Sequence, residues 1–113
     1  MGKLILQPAP TFQAPVRIPV PGADAATVVF TFKHRTRSEL KAFVDGLANF
    51  ANDAEMIQAI ATAWDLTDVW TPDNVALLVE SYVAAPGVIL DVYLDQLARG
   101  REKNSAGPRA PST

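Results

Sequence analysis

Apolar and polar residues alternate along the first part of the chain. Residues 12–20 and 27–33 each place every second side chain on one apolar face, as a strand that is buried on one side does. Pro21 and Gly22 lie between the two segments, and this pair is typical of a tight turn. The pattern therefore predicts a β-hairpin over residues 12–33.

Two prolines, Pro15 and Pro19, interrupt the first of these segments. Because proline has no N–H to donate to a neighbouring strand, we expect both at a free edge or at a bulge. A lone hairpin is only marginally stable in water, so it has to pack on helices or on another chain. A free strand edge can also pair with a second copy, which makes a homo-oligomer one expectation.

After the hairpin the period changes, and apolar residues recur at spacings of three and four, which predicts four helices. Capping residues precede the first three helices, and a proline follows the third cap at a position where its missing N–H costs nothing. The caps are Thr36, Asn52 and Thr71. We expect the helices over about residues 37–51, 53–64, 72–84 and 86–103.

These elements together predict an α+β fold that is mainly α, with an N-terminal β-hairpin followed by about four helices. We expect a single domain over residues 12–103, preceded by an extended arm over residues 1–11. Residues 104–113 carry no large apolar side chain. Such a segment does not offset the entropy that ordering costs, so we expect a disordered C-terminal tail.

Five apolar residues fall outside the predicted core stripes and are candidates for binding a partner protein. Leu77 lies beside polar residues on the third helix, whereas Val88 and Val92 widen the apolar face of the last helix beyond what a surface helix needs. Leu4 and Ile5 lie in the arm. For the two valines and the arm, packing within the domain itself is the simpler alternative.

The 113 residues suffice for the core of one domain and carry a formal net charge of -2. That charge gives no reason to expect binding to nucleic acid or to acidic membranes. Apolar runs are far shorter than the roughly 20 residues that span a bilayer, and the N-terminus is too short for a signal peptide. We therefore expect a cytoplasmic protein. The basic run over residues 33–37 is interpreted as a solvated strand exit, with a phosphate site as the alternative.

The chemistry-bearing residues are sparse. With no cysteine and a single histidine, His34, a zinc site or a catalytic triad is not expected. Asp91 and Asp95 are four residues apart but lack companions at metal-binding spacing, so a solvated helix face is expected. The glycines Gly22 and Gly87 are isolated and form no phosphate-binding loop. We expect a non-enzymatic binding or assembly protein without cofactor or metal.

The stretch VVFTFKHRTRSELKAFVDGL, the segment WTPDNVALLVESY and the final AAPGVILDVYLDQLARGREKN occur in this order over residues 28–104. In that order and pattern the chain resembles the tail assembly chaperones of long-tailed bacteriophages of the siphophage type. It departs from the family pattern at residues 83–86, where the family commonly has proline directly after tyrosine.

The resemblance implies a protein that binds and solubilises the tape measure protein and promotes polymerisation of tail tube protein around it. It implies a location in the host cell cytoplasm and absence from the mature virion. It also implies a longer form made by ribosomal frameshifting, and residues 102–104 are compatible with a slippery codon run. The alternatives are a head–tail connector or neck protein that stays in the virion, and a small host regulator that binds nucleic acid.

Overall fold

The computed structural model describes residues 4–99, and it is an α+β fold built on a three-stranded antiparallel sheet with the strand order β1-β2-β3. Residues 100–103 of the predicted last helix and the predicted tail lie outside the described residues, so the division into arm, domain and tail stays a prediction. The strands are β1 (Thr11–Val20), β2 (Ala23–Lys33) and β3 (Ala61–Trp64). The α-helices are α1 (Arg37–Asp45), α2 (Asp53–Ile60), α3 (Pro72–Ser81) and α4 (Ala85–Leu94), and a π-helical turn over Asp95–Arg99 continues α4.

The predicted β-hairpin is confirmed. Strands β1 and β2 pair antiparallel, with Ala14 opposite Phe30 and Val16 opposite Val28. The turn between them contains Gly22 at a φ of 78°, a backbone conformation that glycine adopts without steric cost. This register turns the apolar side chains of both strands toward the same face of the sheet.

Strand β1 is an edge strand, and its prolines occupy the positions expected of them. The His34 N–H donates to the Pro10 carbonyl over 2.8 Å, and bonded and non-bonded pairs alternate along an antiparallel ladder. Pro15 therefore lies at a position where the backbone N–H would point away from β2. Pro19 lies in the register irregularity between Ile18 and Val20.

The hydrophobic core lies between the inner face of the sheet and the helices. Its largest fully buried side chains come from two strands and three helices: Val16, Phe30, Phe32, Ile57, Ile60, Val75, Ile89 and Tyr93. Their origin in five elements shows why the hairpin is stable here, since its apolar face is covered by α2, α3 and α4.

The third strand corrects the predicted helix over residues 53–64. Helix α2 ends at Ile60, and β3 then pairs with β2, with Ala63 opposite Thr31 and Trp64 opposite Phe30. Asp65 closes this pairing, because its N–H donates to the Val29 carbonyl and its Oδ1 accepts from the Val29 N–H at 2.9 Å. Pairing with residues 61–65 gives the backbone groups on this edge of β2 their hydrogen-bond partners. The free energy gained by this pairing outweighs the preference of the alanine-rich residues 61–64 for a helix.

The first predicted helix, over residues 37–51, is also shorter than expected. Helix α1 ends at Asp45, where the Gly46 N–H caps it by donating to the carbonyls of Ala42 and Phe43, and a 3-10 turn follows over Leu47–Asn49. The predicted helix runs through Gly46, and at this residue the prediction is wrong. Without a side chain, glycine commonly ends a helix.

The predicted capping residues are confirmed at three helix starts. Thr36 Oγ1 accepts from the Glu39 N–H while Glu39 Oε1 accepts from the Thr36 N–H, which completes a capping box. The hydrogen bond from the Thr36 N–H to the carboxylate is the largest cause that lowers the pKa of Glu39. Asn52 and Thr71 each accept from the third residue of the helix that follows.

No single helix within residues 4–99 is both long and apolar enough to cross a membrane. Helix α3 and the helical segment over residues 85–99 pass the length and composition test together, but they are bent by 111°.

Candidate functional site

An apolar groove runs between the turn end of the hairpin and helix α3. It has a volume of about 380 Å³ and is partly open to solvent. One wall is the inner face of the hairpin and the other is α3, with the segment after β3 at one end. The lining residues are Ile18, Val20, Ala26, Val28, Trp64, Leu66, Asp68, Asn74, Leu77, Leu78, Ser81 and Tyr82.

The groove exists because the sheet is longer than the helices that cover it. Residues toward the middle of β2, such as Phe30, lie under helices and have no exposed surface. Toward the turn, β3 has already ended opposite Phe30, so Val28 and Ile18 face α3 across a gap. Ile18 and Val28 themselves are buried and form the floor of the groove, whereas Leu77 and Leu66 at its rim are in contact with water.

Two tryptophans hold one end of the groove in place. The rings of Trp64 and Trp70 meet edge to face with centroids 4.8 Å apart, and both also contact Phe30. The Trp64 Nε1–H donates to the Asp68 carbonyl over 2.7 Å, and Asn74 Nδ2 donates to the Val69 carbonyl over 2.7 Å. The loop between β3 and α3 is thereby fixed against the start of α3.

Leu77 is the most exposed large apolar side chain of the groove, with 61% of its surface accessible. Leu66 on the facing loop is 38% exposed. Asp68 is the only charged side chain among the residues that line the groove. An apolar trough with one carboxylate at its rim suits an apolar chain segment better than a charged small molecule.

The structure does not bring the five predicted partner-binding residues together. Leu77 lines the groove, whereas Leu4 and Ile5 lie in the arm before the opposite end of β1 and are 92% and 59% exposed. Val88 and Val92 are half-buried and pack against the core, so part of the wide apolar face of α4 is covered within the domain. Their role in binding a partner stays a prediction.

Sequence reasoning missed most of the groove because its walls come from distant parts of the chain. Ile18 and Val28 look like ordinary core residues in the sequence and are buried in the structure, and nothing in their spacing shows that they also line a groove. The one available signal was Leu77, an apolar residue on the polar side of its helix. That signal located α3 but not the hairpin wall that faces it.

Arg35 has a structural role that sequence reasoning also missed, because the basic run was interpreted as solvated. Its guanidinium donates to Tyr93 Oη over 2.8 Å and to the Ala59 carbonyl over 3.0 Å, and it lies 4.6 Å from the centre of the Phe43 ring. Tyr93 Oη in turn donates to the Lys33 carbonyl over 2.8 Å. This network ties the exit of β2 to α1, α2 and α4.

The electrostatics of this network favour a neutral Tyr93. Burial raises the pKa of the Tyr93 phenol above its ordinary value, and the hydrogen bond from Arg35 acts in the opposite direction. The phenol oxygen accepts from Arg35 and donates to the Lys33 carbonyl, so its hydrogen bonds hold the exit of β2 and helix α4 together.

The predicted solvated pair on the last helix is in fact bridged by an arginine. Arg99 donates to Asp91 Oδ1 over 3.0 Å and to Asp95 Oδ1 over 2.7 Å, and the Asp95 side chain is mostly buried. The two carboxylates, Asp95 above all, raise the pKa of Arg99. Within residues 4–99 no group of three or more histidine, aspartate or glutamate side chains is placed to hold a metal ion.

Comparison with known proteins gives one family. The sequence model of the family described as phage tail assembly chaperone matches residues 1–104. No curated protein and no solved structure matches the chain.

Proposed function

The chain belongs to the phage tail assembly chaperone family, and we propose that it binds the tape measure protein and keeps it soluble while tail tube subunits polymerise around it. The family match supports an assembly role with partners among the tail proteins. The tape measure protein as client and the tail tube protein as second partner are the finer part of the proposal.

The open groove is the observation that carries this proposal. A client that is long, helical and apolar exposes stripes of side chains at spacings of three and four residues. An amphipathic helix binds by laying such a stripe into an apolar groove, where a few anchor residues supply most of the binding energy. Leu77 and Leu66 provide the exposed apolar contact surface, and the buried Ile18 and Val28 form the floor beneath it.

Substituting Leu77 by aspartate is expected to abolish solubilisation of the tape measure protein. The change places a carboxylate in the middle of the apolar contact, where burial without a partner costs several kcal/mol. The measurement is the soluble fraction of the tape measure protein after co-expression with the variant, which should fall to the value without chaperone. Because Leu77 is 61% exposed, the thermal unfolding of the variant should match that of the parent chain.

Ala76→Asp is the matched control for that substitution. Ala76 is exposed on the same helix but does not line the groove, and its substitution introduces the same charge one residue away. It should leave solubilisation unchanged. Equal solubilisation by Leu77→Asp and the parent chain would remove the groove from the proposal.

We further propose that the protein acts in the host cell cytoplasm without catalysing a reaction and is absent from the finished particle. Mass spectrometry of purified virions tests this, since an assembly factor should be missing from them. A head–tail connector or neck protein would be found in a fixed number of copies per particle, and that result would replace the chaperone proposal.

A frameshifted longer form is the remaining part of the proposal. Residues 102–104 read Glu-Lys-Asn, which codons of a slippery A-AAA-AAC run would encode. A change of frame there follows all the helices and strands of residues 4–99, so both products would share that fold. The longer product would be a second partner of the short one.

A further inference from the structure

From the charges around the open groove, we propose that its occupant is a cationic amphipathic helix, in which lysine or arginine residues border the apolar stripe. This inference rests on the proposed function, since it takes the groove as a helix-binding surface, and it adds the chemistry of the segment that is bound. It implies that the protein selects a basic apolar segment of its client over other apolar segments.

The part of the chain that follows α1 is acidic throughout. Between Lys41 and Arg99 the sequence contains no lysine, arginine or histidine, and every charged residue in that interval is aspartate or glutamate. The interval includes α3 and the segment after β3, which form one wall and one end of the groove. The hairpin wall adds only apolar side chains to the groove. The groove therefore lies in a region of negative potential.

Three carboxylates border the exposed apolar surface of the groove. Asp68 lines the groove from the loop before α3. Asp73 and Glu80 are exposed on α3, and the pitch of a helix places both within about 60° of Leu77 around its axis. They lie on the side of Leu77 that points away from the groove floor. A segment that covers Leu77 would therefore extend over carboxylates as well.

These three carboxylates have no ion-pair partner within residues 4–99. The ion pairs found there join Lys41 to Asp45, and Arg99 to Asp91 and Asp95. The negative charge around the groove is therefore not neutralised by a cation of this part of the chain. Cations on a bound segment would supply the missing partners.

The basic side chains of the hairpin and its exit lie away from the groove. Arg17 points to the outer face of the sheet, because Val16 and Ile18 on either side of it are buried in the core. The Arg35 guanidinium is held by Tyr93 Oη and the Ala59 carbonyl. No basic side chain of residues 4–99 lines the groove, so a cationic segment meets no like charge there.

The spacing of the carboxylates on α3 matches the periodicity of a helix. Asp73 and Glu80 are seven residues apart, which is two turns or about 10 Å along the axis. A helix that packs alongside α3 would meet both with cations that are likewise seven residues apart and next to its apolar stripe. Opposite charges at the rim of an interface speed association and select among partners.

Fluorescence anisotropy with two designed peptides tests the inference on the full chain. Both peptides are amphipathic helices of the same length with the same leucine stripe, and the positions that border the stripe are lysine in one and glutamate in the other. At about 50 mM salt the lysine peptide should bind at least about tenfold more tightly than the glutamate peptide. At about 500 mM salt the difference should shrink, because salt screens charges at an exposed rim.

A charge-neutralising variant locates the effect at the groove. Asp73→Asn with Glu80→Gln should weaken binding of the lysine peptide about fivefold without weakening that of the glutamate peptide. Asp45→Asn with Asp53→Asn is the matched control, since it removes the same charge from two exposed residues that do not line the groove. The control should keep the preference of the parent chain. Thermal unfolding verifies that both double variants are folded.

Equal binding of the two peptides would overturn the inference and leave the groove as a site for any apolar helix, and so would tighter binding of the glutamate peptide. Binding of neither peptide would overturn the groove as a helix site, and the proposed function with it. Leu77→Ser removes the apolar contact without changing charge and should weaken both peptides. If it weakens neither, the peptides bind elsewhere and the inference fails.

Solubilisation of the tape measure protein is a separate outcome. A chain that prefers the lysine peptide but fails to solubilise the tape measure protein would leave the inference standing and overturn that client. A chain that solubilises the tape measure protein yet shows no preference between the peptides would leave the proposed function standing and overturn the inference.

Discussion

Phe32→Ala is expected to lower the free energy of unfolding by about 4 kcal/mol, the largest single effect that the structure predicts. Phe32 has no exposed surface, and its ring contacts those of Phe12, Phe30 and Tyr93 at centroid distances of 5.6, 5.7 and 5.3 Å. Truncation leaves a cavity in the middle strand, whose neighbours on both sides are held by the sheet. Urea unfolding followed by tryptophan fluorescence measures the loss.

Val83→Ala is the control for that experiment. Val83 is 90% exposed, so its truncation should change the free energy of unfolding by no more than about 0.5 kcal/mol. A loss below about 1 kcal/mol for Phe32→Ala would contradict the placement of Phe32 at the centre of the core.

Arg35→Met is expected to cost about 3 kcal/mol, because it leaves the Ala59 carbonyl without its donor and removes one partner of the Tyr93 phenol. Methionine keeps much of the apolar stem that packs along Phe43, so the loss reports mainly the hydrogen bonds and the cation–π contact. Lysine at this position should restore only part of the loss, since an ammonium does not reproduce the planar fork of a guanidinium.

The neighbouring arginine offers a matched control for Arg35. Arg37 is exposed at the first position of α1, and no hydrogen bond or ion pair of its side chain is seen among the described contacts. Arg37→Met should therefore change the unfolding midpoint little. If both substitutions cost the same, the loss at Arg35 would reflect net charge rather than the network around Tyr93.

The sequence predicted the hairpin and the caps because these features depend on local chemistry. Turn residues, alternation and capping side chains act within a few positions of one another, and the structure confirms them at Gly22, Thr36, Asn52 and Thr71. The buried residues at Ile57, Ile60 and Val75 were likewise identifiable from their spacing.

The third strand could not be predicted in the same way. Ala61, Ala63 and Trp64 continue the helical period of α2, and alanine favours helices. What ends the helix is the second edge of β2, which lies some thirty residues earlier in the chain and needs a partner. The sequence did contain one sign that β2 is a central strand. Val29 and Thr31 on its outer face are β-branched residues, which are enriched in strands.

Only one residue of the candidate site, Leu77, could be predicted from the sequence, because the rest of the groove also depends on distant parts of the chain. Leu77 breaks the pattern of its own helix, but the groove depends on where β3 ends and on how far the hairpin extends past the helices. Those lengths follow from pairing between distant segments. The role of Arg35 was hidden similarly, because its partners Ala59 and Tyr93 lie 24 and 58 residues away.

The proline on the free edge of β1 limits how this protein can aggregate. Growth of a cross-β fibril requires an unbroken row of backbone donors along which strands stack. On this edge the outward N–H groups of Gln13 and Arg17 are about 13 Å apart, because Pro15 lies between them without a donor. A strand that pairs with this edge finds no backbone donor at Pro15, so its row of hydrogen bonds to β1 is interrupted there. Pro15 therefore opposes amyloid-type stacking on the free edge of β1 without a charged side chain at every edge position.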